Sequence, residues 1–188
     1  SFSLYAVINK ACIVVKAISE SKGFQEMLDA GLECTMGQLY GDAVALKATA
    51  YRELIKYFGD VPYISGNATD HDGLVGRDSI YDVILAELQQ AAPVMYRVGS
   101  IPGITGKNYF SRTYVEGLIG RIALEAGGYQ TRRGDIARVD GLGNALTFEN
   151  MGTENNGATY GRRSDWQDYC RLAQTSFKAV IDNPGSAK

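Results

Sequence analysis

The sequence predicts an all-α fold of antiparallel helical hairpins, stacked like a short solenoid and joined in places by long loops. Three observations carry this expectation. Apolar residues recur at spacings of three and four along most of the chain. The periodic stretches stop at glycine or proline. No two segments have the composition of a strand pair, and only residues 61–64 read as a short edge strand. No repeat of fixed period accompanies the stacking, so it is inferred from helical faces that must be covered.

The first helix is expected at residues 3–19, with Leu4, Val7, Ile8, Ala11, Val14, Val15 and Ile18 along one side. A weaker one, residues 24–30, stops at Gly31. Residues 36–58 place Leu39, Ala43, Leu46, Ala50 and Leu54 on a stripe expected to be core. Gly59 ends that helix and Pro62 prevents its continuation. Residues 79–95 present Ile80, Ile84, Leu88, Ala91 and Met95, with Ser79 and Asp82 as a capping box. Residues 111–126 present Tyr114, Val115, Leu118, Ile119, Ile122 and Ala126 and end at Gly127-Gly128. The last helix, residues 164–183, aligns Trp166, Tyr169, Cys170, Ala173, Phe177 and Val180. Ser164 and Gln167 suggest its capping box, and Asn183-Pro184-Gly185 its stop. Loops are expected at residues 61–77, 99–110 and 129–163. A loop as long as the last is unusual in a compact domain and is more often functional or partly ordered by a missing partner.

The 188 residues suit a single helical domain able to bury a core. An apolar content of 45% with 21% charge argues against wholesale disorder. A net charge of −2 supplies no field for nucleic acid or for an anionic membrane surface. The basic pairs Arg132-Arg133 and Arg162-Arg163 read as solvated loop charges. Cys12, Cys34 and Cys170 lack metal-ligand spacing; Cys12 and Cys170 read as small buried hydrophobes, and a disulfide is neither implied nor excluded. Asn9 and Lys10 interrupt the apolar run of residues 4–15, which is neither a membrane span nor a signal peptide. The chain opens inside a helical pattern, so it reads as an internal piece of a longer protein.

Little here points to catalysis. The single histidine, His71, sits between Asp70 and Asp72, and no nucleophile elbow surrounds any serine. Asp70, Asp72 and Gly73 lack the twelve-residue calcium pattern. No phosphate-binding glycine motif opens a helix, and no cofactor or metal is expected. Nothing singles out a catalytic pair among the 21 acidic residues. The aromatic residues are more informative. There are 12 Tyr, 6 Phe and 1 Trp. Tyr63, Tyr109, Tyr129 and Tyr160 fall in or near loops. A phenol ring offers apolar area and a hydrogen bond together, which suits sugar faces. Tyr63, Tyr129 and Tyr160 are the candidate ligand residues, and Trp166 reads as core.

Several segments resemble the SusD/RagB family of bacterial outer-membrane glycan-binding lipoproteins. Residues 39–51 followed by Leu54-Ile55-Lys56-Tyr57-Phe58-Gly59-Asp60-Val61-Pro62 are similar to the family's core helix and its FGDVP exit. Residues 77–91, beginning Arg77-Asp78-Ser79-Ile80-Tyr81, resemble the following element, and residues 111–128 the next helix, with its Gly128-Tyr129 turn. Residues 166–182 are similar to the helix after it. The resemblance implies a tetratricopeptide-like scaffold without enzymatic activity. It implies binding of an oligosaccharide or polysaccharide on the extracellular face of the outer membrane, in nutrient uptake. The partner would be a SusC-like TonB-dependent transporter, and the lipid anchor would lie outside these residues. The matched motifs are scaffold, so no family sugar-binding residue is carried over. Competing readings are a helical-repeat module for protein–protein interaction and a glycoside hydrolase.

Overall fold

The computed structural model describes residues 2–64, 71–133, 138–139 and 158–187. Helix α1 spans Phe2–Ser19, α2 Phe24–Ala30, α3 Thr35–Phe58, α4 Arg77–Ala91, α5 Arg112–Ala126 and α6 Trp166–Asp182. A 3-10 turn, Ala92–Val94, extends α4. The main helices pack in sequence: α1 on α3, α3 on α4, α4 on α5 and α5 on α6. This is a helical hairpin stack of the tetratricopeptide-like kind.

Two of the expected loops contain strands, and of these strands the sequence announced only the one at residues 61–64. Strands β1, Val61–Ile64, and β2, His71–Val75, form an antiparallel pair with an irregularity between Pro62 and Tyr63. His71 therefore lies on a strand rather than in a loop. Asp70 is outside the described residues. The expected loop at 129–163 carries β3, Gln130–Arg133, β4, Arg138–Val139, and β5, Ala158–Arg163. These form a three-stranded antiparallel sheet with β5 in the middle. Polar strands such as Gln-Thr-Arg-Arg show no apolar alternation, which is why periodicity missed them. Residues 134–137 and 140–157 of that expected loop lie outside the described residues.

The core matches the expected stripe of α4, most of that of α5 and part of that of α3, while Val14 of α1 and Tyr114 of α5 are exposed. Ile80, Ile84, Leu88 and Ala91 of α4 are buried, as are Val115, Leu118, Ile119, Ile122 and Ala126 of α5. In α3, however, Leu39 is 54% exposed and Leu46 40% exposed. The helix buries Ala43, Ala50 and Leu54 of the expected stripe, and with them Gly37, Gly41, Val44, Ala45, Ala48 and Tyr51. Neighbouring helices cover α3 on both sides, and small residues allow that approach. A Cβ at Gly37 would collide with the carbonyl of Val94, and one at Gly41 with the Met95 side chain.

Both expected capping boxes are absent. Helix α4 starts after Gly76, without a side-chain cap there. Asp60, from the FGDVP segment, reaches across instead and accepts the Arg77 N–H at 2.9 Å. Helix α6 starts after Asp165, again without a side-chain cap bond. Cys34 caps α3: its Sγ accepts from the Gly37 N–H at 3.3 Å. All three cysteines are free thiols.

Candidate functional site

The end of α5 is shaped to meet the start of α6. A Cβ at Gly127 would stand 2.9 Å from the Trp166 carbonyl and 3.1 Å from Tyr169 Cβ, so glycine permits the approach. Two turns back into the pair, a Cβ at Gly120 would fall 2.6 Å from the Phe177 ring. The chain leaving α5 is then pinned. Gln130 donates to the Glu125 carbonyl at 2.5 Å and to the Tyr81 hydroxyl at 3.2 Å. Its Oε1 accepts from Arg77 Nη1 at 3.1 Å. Tyr129 is thereby held beside the first turn of α6.

Strand β5 supplies the rest. Successive side chains on a strand point to opposite faces. Arg163 points toward the helices. Its guanidinium donates to both carboxylate oxygens of Asp82, at 2.7 and 3.1 Å, and to both of Asp165, at 2.9 and 3.2 Å. It also lies over the Tyr169 ring at 4.5 Å. Burial alone would lower its pKa, but the hydrogen bonds and charges of Asp82 and Asp165 raise it well above the usual arginine value. Tyr160 and Arg162, two residues apart, share the other face. Tyr160 pairs with Thr131 of β3, which brings its ring to Tyr129. The two centroids are 5.8 Å apart with 31° between the planes. Arg162 lies over the Tyr129 ring at 4.8 Å and over the Trp166 ring at 4.1 Å. Tyr129 is 43% exposed and Tyr160 58% exposed. The result is a surface row of Tyr160, Tyr129, Arg162 and Trp166.

Of the three tyrosines expected to contact ligand, the structure brings Tyr129 and Tyr160 together and sets Tyr63 elsewhere. Tyr63 stacks on Tyr51 at 5.1 Å with 25° between the rings. Its hydroxyl accepts from Lys47 Nζ at 2.8 Å, and Lys47 is paired with Glu87, also at 2.8 Å. Burial raises the Tyr63 pKa, opposed by Lys47. Sequence reasoning missed Arg162 and Trp166 as partners of the tyrosines. The available signal was the two-residue spacing of Tyr160 and Arg162, just ahead of an aromatic residue that opens a helix. Arg162-Arg163 is not a pair of solvated loop charges: both side chains are half-buried, one over rings and one among carboxylates.

Apart from this row, a concavity of about 750 Å³ runs along α1 and α3. Leu39 and Leu46 line it with Val14, Asp42, Tyr109 and Tyr114. It accounts for the outward-facing stripe of α3.

The fold and this ring row define a helical-repeat scaffold with an exposed aromatic surface. No family model and no curated protein match the chain. Its fold is similar to that of surface glycan-binding protein A from Bacteroides fluxus, at 22% identity and a TM-score of 0.50, over 64% of this chain. It is also similar to a SusD superfamily protein from Bacteroides fragilis NCTC 9343, at 13% identity and a TM-score of 0.58, over 94% of this chain. The fold is SusD-like. The chain spans 24% and 29% of the lengths of these two proteins.

Proposed function

We propose that this chain is the helical, non-catalytic part of a glycan-binding protein, and that Tyr129 and Tyr160 form its sugar-stacking surface. The observation that carries the reading is the exposed pairing of those two rings. Aromatic faces and the C–H faces of pyranose rings bury apolar area against each other. Two rings 5.8 Å apart present a platform wider than one residue. Their backbones are held by Gln130 on one side and Arg163 on the other, so little ordering is needed on binding. The likeness to a surface glycan-binding protein and a SusD superfamily protein supports the same conclusion.

In the whole protein the setting would be the extracellular face of a bacterial outer membrane, with a lipid anchor outside these residues. The partner receiving the glycan would be a SusC-like TonB-dependent transporter. Among the described residues no helix is long and apolar enough to cross a membrane.

The test is native affinity electrophoresis through gels containing a panel of polysaccharides, with a reducing-sugar assay on the same samples. The expected result is retardation on at least one glycan, abolished by Tyr160→Ala and reduced by Tyr129→Ala, with no reducing ends released. Retardation that both variants retain would reject the platform. Release of reducing ends would reject the non-catalytic reading.

A further inference from the structure

Arg162 is placed unlike the other partly buried arginines. Arg52, Arg97 and Arg112 each hold a carboxylate, and Arg163 holds two. Arg162 has no carboxylate and no hydrogen bond among the described residues; its Nε is buried without an acceptor. What it has instead is two aromatic rings, Tyr129 at 4.8 Å and Trp166 at 4.1 Å from its guanidinium carbon. Cation–π contact steadies the cation, but it occupies ring faces and satisfies none of the in-plane N–H donors. A guanidinium held this way keeps a planar fork of donors, and that fork matches the two oxygens of a carboxylate or sulfate. The ring beneath it, Tyr129, is also half of the Tyr129–Tyr160 pair. A sugar stacked on that pair would therefore place its substituents beside a positive charge that no carboxylate among the described residues neutralises.

We propose that the platform selects anionic glycans, with Tyr129 and Tyr160 stacking on the sugar and Arg162 pairing with its carboxylate or sulfate. This rests on the glycan-binding reading above and narrows it to a substrate class. The net charge of −2 opposes non-specific attraction of polyanions, so such a preference would have to be local to Arg162.

The test uses matched pairs of polysaccharides that differ only in charge. Polygalacturonate is compared with its methyl-esterified form, and dextran sulfate with dextran, each titrated against the 188-residue chain by isothermal calorimetry. The expected result is about tenfold tighter binding of one charged member than of its neutral counterpart, the scale of one charge-assisted hydrogen bond. The preferred pair separates uronate from sulfate ester. That preference should weaken as salt is raised and vanish in Arg162→Gln. Equal binding of charged and neutral members by the unmodified chain would overturn the proposal while leaving glycan binding intact. Charge preference that survives in Arg162→Gln would overturn it too. Failure to bind any member, or any other glycan, would overturn both readings.

Discussion

Arg163 grips Asp82 of α4 through both carboxylate oxygens, across 81 residues of sequence. The Tyr169 hydroxyl donates to the same carboxylate from α6. Strand β5 is tied to two helices through this one contact group, and Tyr160 and Arg162 inherit their positions from it.

Replacing Arg163 by Met removes those donors. Asp82 and Asp165 are each more than 40% exposed and can recover water, so the loss is well below that of a fully buried pair. The expected destabilisation is roughly 1–3 kcal/mol by urea denaturation. Glycan retardation should fall with it although Arg163 faces away from the platform. A variant that loses stability and retains full retardation would show that β5 does not depend on this anchor.

Lys47 and Glu87 form the most deeply set ion pair among the described residues, 2.8 Å apart with Lys47 only 6% exposed. Lys47→Met would leave the largely buried Glu87 carboxylate without its cation, at an expected cost of about 3 kcal/mol. The double variant Lys47→Met, Glu87→Leu should recover much of that loss. A double variant no more stable than the single one would place the energy elsewhere.

The same cluster sets an alkaline limit. Burial would lower the Lys47 pKa, but Glu87 and Tyr63 leave it raised. Burial, with Glu87, pushes Tyr40 up from 10.0 to about 12, and burial raises Tyr51 and Tyr63. Each group holds its proton more tightly folded than unfolded. Their contribution is complete below about pH 10 and is lost as pH rises through the folded values. The melting temperature should therefore fall between about pH 10 and pH 12, and less steeply in Tyr40→Phe. An unchanged slope in that variant would remove Tyr40 from the account.

Leu46 and Leu88 offer a direct contrast. Leu46 is 40% exposed on the groove and Leu88 is 0% exposed between helices. Leu46→Ala should cost under about 1 kcal/mol, whereas Leu88→Ala should cost about 2–5 kcal/mol. Similar denaturant midpoints for the two variants would contradict the packing described.

Gly127→Ala tests the joint between α5 and α6. The new methyl would meet the Trp166 backbone carbonyl, which cannot rotate aside, so the helices must part. The expected cost is about 1–3 kcal/mol, with weaker glycan retardation as Trp166 moves. Unchanged stability and retardation would mean that the joint yields without disturbing the rings.

The helices were legible in the sequence because one buried face repeats every three or four residues, and Gly31, Gly59 and Gly127 mark where each pattern stops. The tyrosines Tyr129 and Tyr160 were visible as aromatic residues outside that pattern. Their pairing was not, because 31 positions separate them and their contact depends on the register of β5 against β3. The roles of Arg162 and Arg163 were equally hidden. Adjacent residues of one type look alike in sequence, and only strand alternation sends one to carboxylates and the other to rings. Leu39 and Leu46 show the same limit in a helix. Periodicity finds an apolar stripe, but which stripe is buried was decided by where α1 and α4 pack against α3, and the small residues let them approach closest.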